Sequence, residues 1–306
     1  MENMNYELLT VDGKPALKMR YYKARTPQKG IIVFVHGVSH GAWCWINFVK
    51  FFTRCGYACF AINLRGHGDD KRFGKGTLPQ YVNDVERCII HCKKFCENKK
   101  IPYSKPIVLG HSMGGAIVEN YISRHSGHVS SAVLFAPVTA DGMGMDAFRT
   151  TLSKTGLYTE PTVLEWKPNK FLDKSNFFVA KTDNQNFIPR ITDKEELAYY
   201  DRQLCRESPI AMLGLIRFRL NKPGIPVFVT GSDKDAYFPT ESLIQTANFY
   251  NTKPMVLRGL CHDMMLDPQW EQAALSVLEF IHNPEDLQRK PKEFIDALEA
   301  KIYPDK

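Results

Sequence analysis

Residues 106–122 read Pro106-Ile107-Val108-Leu109-Gly110-His111-Ser112-Met113-Gly114-Gly115-Ala116-Ile117-Val118-Glu119-Asn120-Tyr121-Ile122. An apolar run of strand length enters a Gly-x-Ser-x-Gly turn, and a helical pattern leaves it. In such a turn the serine takes strained backbone angles, and the neighbouring glycines lack the Cβ atoms that would clash. The strain lifts Ser112 Oγ clear of a sheet edge and aims a helix N-terminus at it. Free N–H groups and partial positive charge there suit a developing oxyanion. A glycine-rich turn can also carry an incidental serine. Here the strand before and the helix after supply the context that a nucleophile requires.

The same alternation extends outward in both directions. Ile31 to Val35, Tyr57 to Leu64, Ile107 to Leu109, Ala132 to Phe135, Pro226 to Thr230 and Met255 to Leu257 are apolar runs of strand length. Near-continuous apolar strands belong in a parallel sheet covered on both faces. Between them lie helical patterns at 43–54, 78–98, 113–125, 240–250 and 268–282. This order predicts an α/β protein with a mostly parallel sheet. Residues 138–222 break it with aromatic and polar sequence and helical patterns at 194–206 and 209–220. A stretch that long does not remain a structureless loop in a compact protein. It predicts a helical cap inserted into a core of residues 1–137 and 223–306, above the strand ends where ligands bind in open α/β sheets. Phe148, Leu152, Trp166, Phe177, Phe178 and Met212 are its candidate pocket residues, or equally its own small core. Phe294, Leu298 and Ile302 mark a last helical stripe packed on the core.

The 306 residues are 44% hydrophobic and 24% charged, an ordinary soluble composition, and the net charge of +7 is dispersed. The short basic run at 288–292 gives no reason to expect nucleic acid as a partner. The polar N-terminus lacks a signal-peptide pattern, and no apolar run approaches the roughly 20 residues of a membrane span. A cytoplasmic location follows as the expectation, with the eight cysteines free. Cys88, Cys92 and Cys96 recur every four residues beside His91. They read as small apolar residues on a packed helix face, not as a metal site.

A serine hydroxyl needs a general base oriented by a carboxylate, and in this strand order the acid precedes the base. The run at 226–230 leads into Ser232-Asp233-Lys234-Asp235, and the next strand leads into Leu260-Cys261-His262-Asp263. Both turns then open on the Ser112 edge of the sheet. His262 is the candidate base and Asp235 the favoured acid. Asp233 is the alternative acid and would otherwise brace the loop, while Asp263 is expected to be structural. Among nine histidines, His36, His67 and His111 sit beside glycines in turns, where a histidine is usually solvated. His36 is expected to hydrogen-bond structurally. Candidate oxyanion donors are the N–H groups of Met113, after the nucleophile, and Val38, in the loop that Gly37 lets approach the site.

Four blocks in this order carry a resemblance: His36-Gly37-Val38, Leu64-Arg65-Gly66-His67-Gly68, Gly110 to Gly115, and Gly259 to Pro268. The chain resembles serine hydrolases of the α/β-hydrolase fold, in particular the esterase and monoacylglycerol-lipase-like members. The segment from His36 to Trp45 is also similar to the plant methylesterase and hydroxynitrile lyase group. Those lyases place a lysine after the base, where this chain has Asp263, which disfavours cyanohydrin cleavage. The resemblance implies an α/β-hydrolase fold with an inserted lid. It also implies an esterase acting on a small or acyl-chain ester through an acyl-enzyme, with no metal or organic cofactor. Lactone, thioester or carbon–carbon bond hydrolysis, acyl transfer, and a slow-hydrolase receptor are the alternatives for the same residues.

Overall fold

The computed structural model describes residues 4–69, 76–145, 147–149, 190–205 and 207–284. Eight strands form one sheet: β1 (Glu7–Val11), β2 (Leu17–Tyr22), β3 (Gly30–Val35), β4 (Tyr57–Asn63), β5 (Ile107–His111), β6 (Ser131–Phe135), β7 (Val227–Ser232) and β8 (Met255–Leu257). Their spatial order is β1-β2-β4-β3-β5-β6-β7-β8. The pairs β1/β2 and β2/β4 are antiparallel, and every pair from β4 to β8 is parallel. The β1/β2 hairpin has no counterpart in the apolar runs of the sequence. β1 alternates exposed and buried side chains along its inner half, so its signal is amphipathic and weak.

Strand alternation divides the interior into two layers. Ile31, Val33 and Val35 face α2 (Leu78–Lys99), α3 (Met113–His125) and α6 (Thr240–Phe249). Ile32 and Phe34 face α1 (Ile46–Arg54) and α7 (Trp270–His282), where Trp45, Phe48 and Phe52 pack around Phe34. The longest helix, α2, starts with Thr77 and Gln80 satisfying each other's backbone N–H groups and with Pro79 in its first turn. Such reciprocal capping fixes a helix start. Cys88, Cys92 and Cys96 are buried on its inner face.

Of the segment 138–222, the described parts include α4 (Lys194–Gln203) and α5 (Pro209–Gly214). Both end earlier than their sequence pattern predicts. After α5 the chain turns to hydrogen-bond residues 141–144: Met143 N–H donates to Leu215, Gly144 N–H to Ile216, and Phe218 N–H to Asp141. Those bonds take the 215–218 backbone out of any helix. Leu152, Trp166, Phe177, Phe178 and the stripe of Phe294, Leu298 and Ile302 lie outside the described residues. Among the described residues, no helix is long and apolar enough to cross a membrane.

The site is positioned by the sheet topology. β3 has β4 on one side and β5 on the other, so the connections leaving β3 (to β4) and β5 (to β6) diverge and open a crevice at the strand ends. The loop after β3 and the turn after β5 border that crevice. α3 then packs directly on β3, so closely that a Cβ at Gly114 would lie 2.5 Å from the carbonyl oxygens of both Val35 and His36. Those atoms are backbone and cannot yield. Gly114→Ala should therefore lower stability by about 1–3 kcal/mol, the usual range for forced overpacking. A guanidinium denaturation midpoint equal to wild type would show that α3 can shift away from β3.

Candidate active site

Ser112 adopts φ 54° and ψ −119°, a left-handed φ that a non-glycine residue takes at an expense of about 1–3 kcal/mol. Its backbone is over-determined. Ser112 N–H donates to Phe135 across the sheet at 3.0 Å, and its carbonyl accepts from Gly115 and Ala116 at 2.9 and 3.3 Å. Gly37 is needed opposite, because a Cβ there would lie 2.9 Å from His111 Nδ1 and 3.1 Å from Ser112 Cβ.

Asp235 and His262 meet across the turns that follow β7 and β8. His262 Nδ1 lies 2.8 Å from Asp235 Oδ2. The other oxygen, Oδ1, accepts Tyr237 N–H at 2.7 Å and Phe238 N–H at 3.0 Å, which leaves Oδ2 directed at the imidazole. Asp233 stands elsewhere, its Oδ1 accepting Gly259 N–H at 2.6 Å and so joining the two loops. His262 is buried against the rings of His111, Tyr237 and Phe238. Burial opposes its positive charge, but Asp235, helped by Asp263, outweighs burial and raises its pKa above the ordinary value. With Nδ1–H committed to Asp235, Nε2 is the basic nitrogen.

Ser112 and His262 line one cavity together with Val38 and Met113. The rest of its described wall is Val138, Met143, Met212, Leu215, Tyr237 and Phe238. Met113 is the first residue of α3, so its N–H has no carbonyl one turn back within the helix. Phe148 is buried in the core layer that includes Met143 and Met212.

Three turn histidines are not solvated. His36, His67 and His111 are at most 1% exposed, because each lies at the strand-end edge under neighbouring loops. His36 accepts Leu64 N–H at Nε2 and donates from Nδ1 to the Gly37 carbonyl at 2.8 Å. Burial, with His67 nearby, pushes its pKa well down, in keeping with a ring that must accept. His111 holds the His262 carbonyl at 3.1 Å, and burial and His262 push its pKa down to about 3.

Two buried carboxylates support the site: Asp263, expected from the sequence to be structural, and Glu207, which the sequence does not single out. Asp263 is fully buried, with His40 Nε2 at 2.7 Å and His111 Nε2 at 3.6 Å. Burial opposes its charge, but these histidines, His40 foremost, hold its pKa at about 2. Glu207, also buried, pairs with His67 at 3.0 Å. His40 in His36-Gly37-Val38-Ser39-His40 was the one available signal for Asp263. Nothing near Glu207 in sequence points to His67, 140 residues away. The sole described group of metal-ligand type, His111, His262 and Asp263, includes the paired imidazole and belongs to this hydrogen-bonded cluster.

A family model described as serine aminopeptidase, S33 (Hydrolase_4), matches residues 26–269. The monoacylglycerol lipase of Mycolicibacterium smegmatis is 33% identical over 114 residues, 37% of this chain and 39% of that protein. The chain thus aligns with about two fifths of the lipase's length. The pheophorbidase of Raphanus sativus is 30% identical over 250 residues, covering 81% of this chain and 84% of that protein. Among solved structures, a thermostable carboxyl esterase from Bacillus coagulans superposes with TM-score 0.64 at 17% identity, covering 92% of this chain and 99% of that one.

His262 should titrate above the usual imidazole value of about 6.5. Asp235→Asn should move the midpoint down, because the stabilising negative charge is gone, whereas Asp233→Asn should leave it in place. Imidazole NMR titration in a Ser112→Ala background reads this directly. Equal shifts in the two variants would contradict the pairing.

Proposed function

The chain belongs to the Hydrolase_4 family (serine aminopeptidase, S33) of α/β hydrolases, and from that premise we propose that it is a serine hydrolase cleaving carboxylic esters. The observation that carries the reading is the 2.8 Å contact between Asp235 and His262, with His262 and Ser112 on one cavity wall. His262 Nε2 takes the proton of Ser112 Oγ as that oxygen attacks the acyl carbon. Asp235 fixes the tautomer and supports the imidazolium that forms. The N–H groups of Val38 and Met113 receive the oxyanion, worth a factor on the order of 10²–10³ in rate per donor. The protonated His262 hands its proton to the leaving alcohol, and water then releases the acyl group by the reverse sequence. None of these steps calls for a metal or an organic cofactor.

The cavity wall supports an ester over a peptide with a free amino terminus. An aminopeptidase has to hold an α-ammonium group, and among the described residues no carboxylate lines the cavity. Val138, Met143, Met212 and Leu215 supply apolar surface for a small or acyl-chain substrate. All four belong to residues 138–222, which we assign as the cap over a core of residues 1–137 and 223–306.

Labelling with a fluorophosphonate probe, followed by turnover of p-nitrophenyl esters of graded chain length, tests the proposal. Wild type should label at Ser112, and Ser112→Ala should neither label nor turn over. Asp235→Asn should reduce kcat by about 10⁴-fold through the wrong imidazole tautomer, with Asp233→Asn far milder. An unlabelled wild type would defeat the enzyme reading. A labelled protein that turns over no ester would point to one of the other acyl chemistries or to a receptor.

A further inference from the structure

Between α4 and α5 the chain reaches back to the loop after β3. Glu207, 2% exposed, gathers four donors on one carboxylate. Oε2 accepts Ser39 N–H at 3.1 Å and His67 Nε2–H at 3.0 Å; Oε1 accepts Tyr81 O–H at 2.7 Å and Ser208 N–H at 2.8 Å. Two residues earlier, Cys205 N–H donates to the Ser39 carbonyl at 2.9 Å. Ser39 is thus gripped from both sides, by Cys205 at its carbonyl and by Glu207 at its N–H. Its φ is 62°, a left-handed value that a serine does not hold without such support.

The two peptide planes that flank Val38 Cα are both pinned. The Gly37–Val38 plane carries the Val38 N–H, and its carbonyl accepts from His36 Nδ1 at 2.8 Å. The Val38–Ser39 plane is held on its carbonyl by His40 Nδ1 and on its N–H by Glu207. Losing the Glu207 contact leaves the second plane held only at its carbonyl by His40, which loosens the backbone about Val38 and with it the aim of its N–H. A buried carboxylate is expensive to desolvate, so its four-donor seating makes the contact stiff as well as specific. Around the carboxylate stand His67 from the turn after β4, Tyr81 from α2 and the main chain of Ser39 and Ser208.

We propose that Glu207 is a positioning residue for the oxyanion hole, fixing the Val38–Ser39 peptide and tying the aim of Val38 N–H to the seating of the segment that carries α4 and α5. It rests on the reading of Ser112 as nucleophile and Val38 as donor. The reaction itself does not touch Glu207.

Two measurements on wild type, Glu207→Ala, Glu207→Gln and Tyr81→Phe test it. The first is amide hydrogen exchange of the 36–41 loop. Loss of one hydrogen bond worth about 1.4 kcal/mol should speed Ser39 exchange about tenfold in Glu207→Ala. Tyr81→Phe removes a bond from the other carboxylate oxygen and should leave that exchange near wild type. The second is the ratio of kcat/KM for a p-nitrophenyl ester to that for its thionoester, whose sulfur is a poor partner for oxyanion donors. That ratio should fall by about 10- to 100-fold in Glu207→Ala, less than outright loss of a donor. The change should sit in kcat, with KM little altered. Glu207→Gln keeps one acceptor oxygen and should fall between; if the alanine variant does not fold, the glutamine variant carries the test alone.

An unchanged 36–41 loop, or a loosened loop with an unchanged ratio, overturns the proposal, as does a glutamine variant equal to wild type in both readouts. A Tyr81→Phe ratio that falls as far as the alanine variant's also overturns it, because general loosening would then explain the effect. A wild type that neither labels at Ser112 nor turns over either ester removes the hydrolase reading and this proposal with it. A labelled, active wild type with an unaffected alanine variant removes this proposal alone.

Discussion

The left-handed backbone of Ser112 is the constraint around which the rest is arranged. Its φ of 54° turns the chain from β5 into α3 within one residue, so α3 must start directly against β3. That contact is why a Cβ at Gly114 would lie only 2.5 Å from backbone oxygens and why Gly37 faces Ser112. It also sets the sheet-end crevice, because β3 is where the strand order diverges. Strain of this kind persists only where surrounding contacts over-determine it. Here the bonds to Phe135, Gly115 and Ala116 and the packing of both core layers do so.

Behind the cavity wall lies an ordered polar layer. Asp263 anchors His40, which holds the Val38 carbonyl, while Glu207 holds the Ser39 N–H in the same peptide. The loop after β3 is therefore clamped between two buried carboxylates that reach it from separate later segments of the chain. Buried charge is tolerable only with close partners, and each carboxylate has a histidine within 3.0 Å. The consequence is rigidity at the position where the proposed oxyanion donor must already point the right way before charge develops.

The sheet was legible because its parallel strands are apolar throughout, and Ser112, Asp235 and His262 were legible because each follows such a strand. Strand order alone sends their turns to one edge. Choosing between Asp233 and Asp235 needed more, since both share a turn and differ only in which loop atom each faces. The burial of His67 and His111, the histidine partners of Asp263 and the role of Glu207 were not legible. A buried ion pair has no periodicity, and the contact of Glu207 with His67 is set by tertiary packing of a segment whose pattern is weak. The amphipathic β1 was missed for a related reason, its alternation being too short to stand out.

Residues that do chemistry and residues that select substrate are ordinarily separate, the former on the core strands and the latter on what covers them. In this chain one stretch serves both ends. The 205–215 segment supplies Met212 and Leu215 to the cavity wall and Glu207 to the loop bearing Val38. A substrate that displaces Met212 pushes on the same short segment that fixes Ser39. On the proposed function, fit in the pocket and aim of the oxyanion donor are then mechanically linked, and a poorly fitting acyl group loses kcat as well as affinity. That is the behaviour expected when binding energy from the non-reacting part of a substrate is realised at the reacting carbonyl.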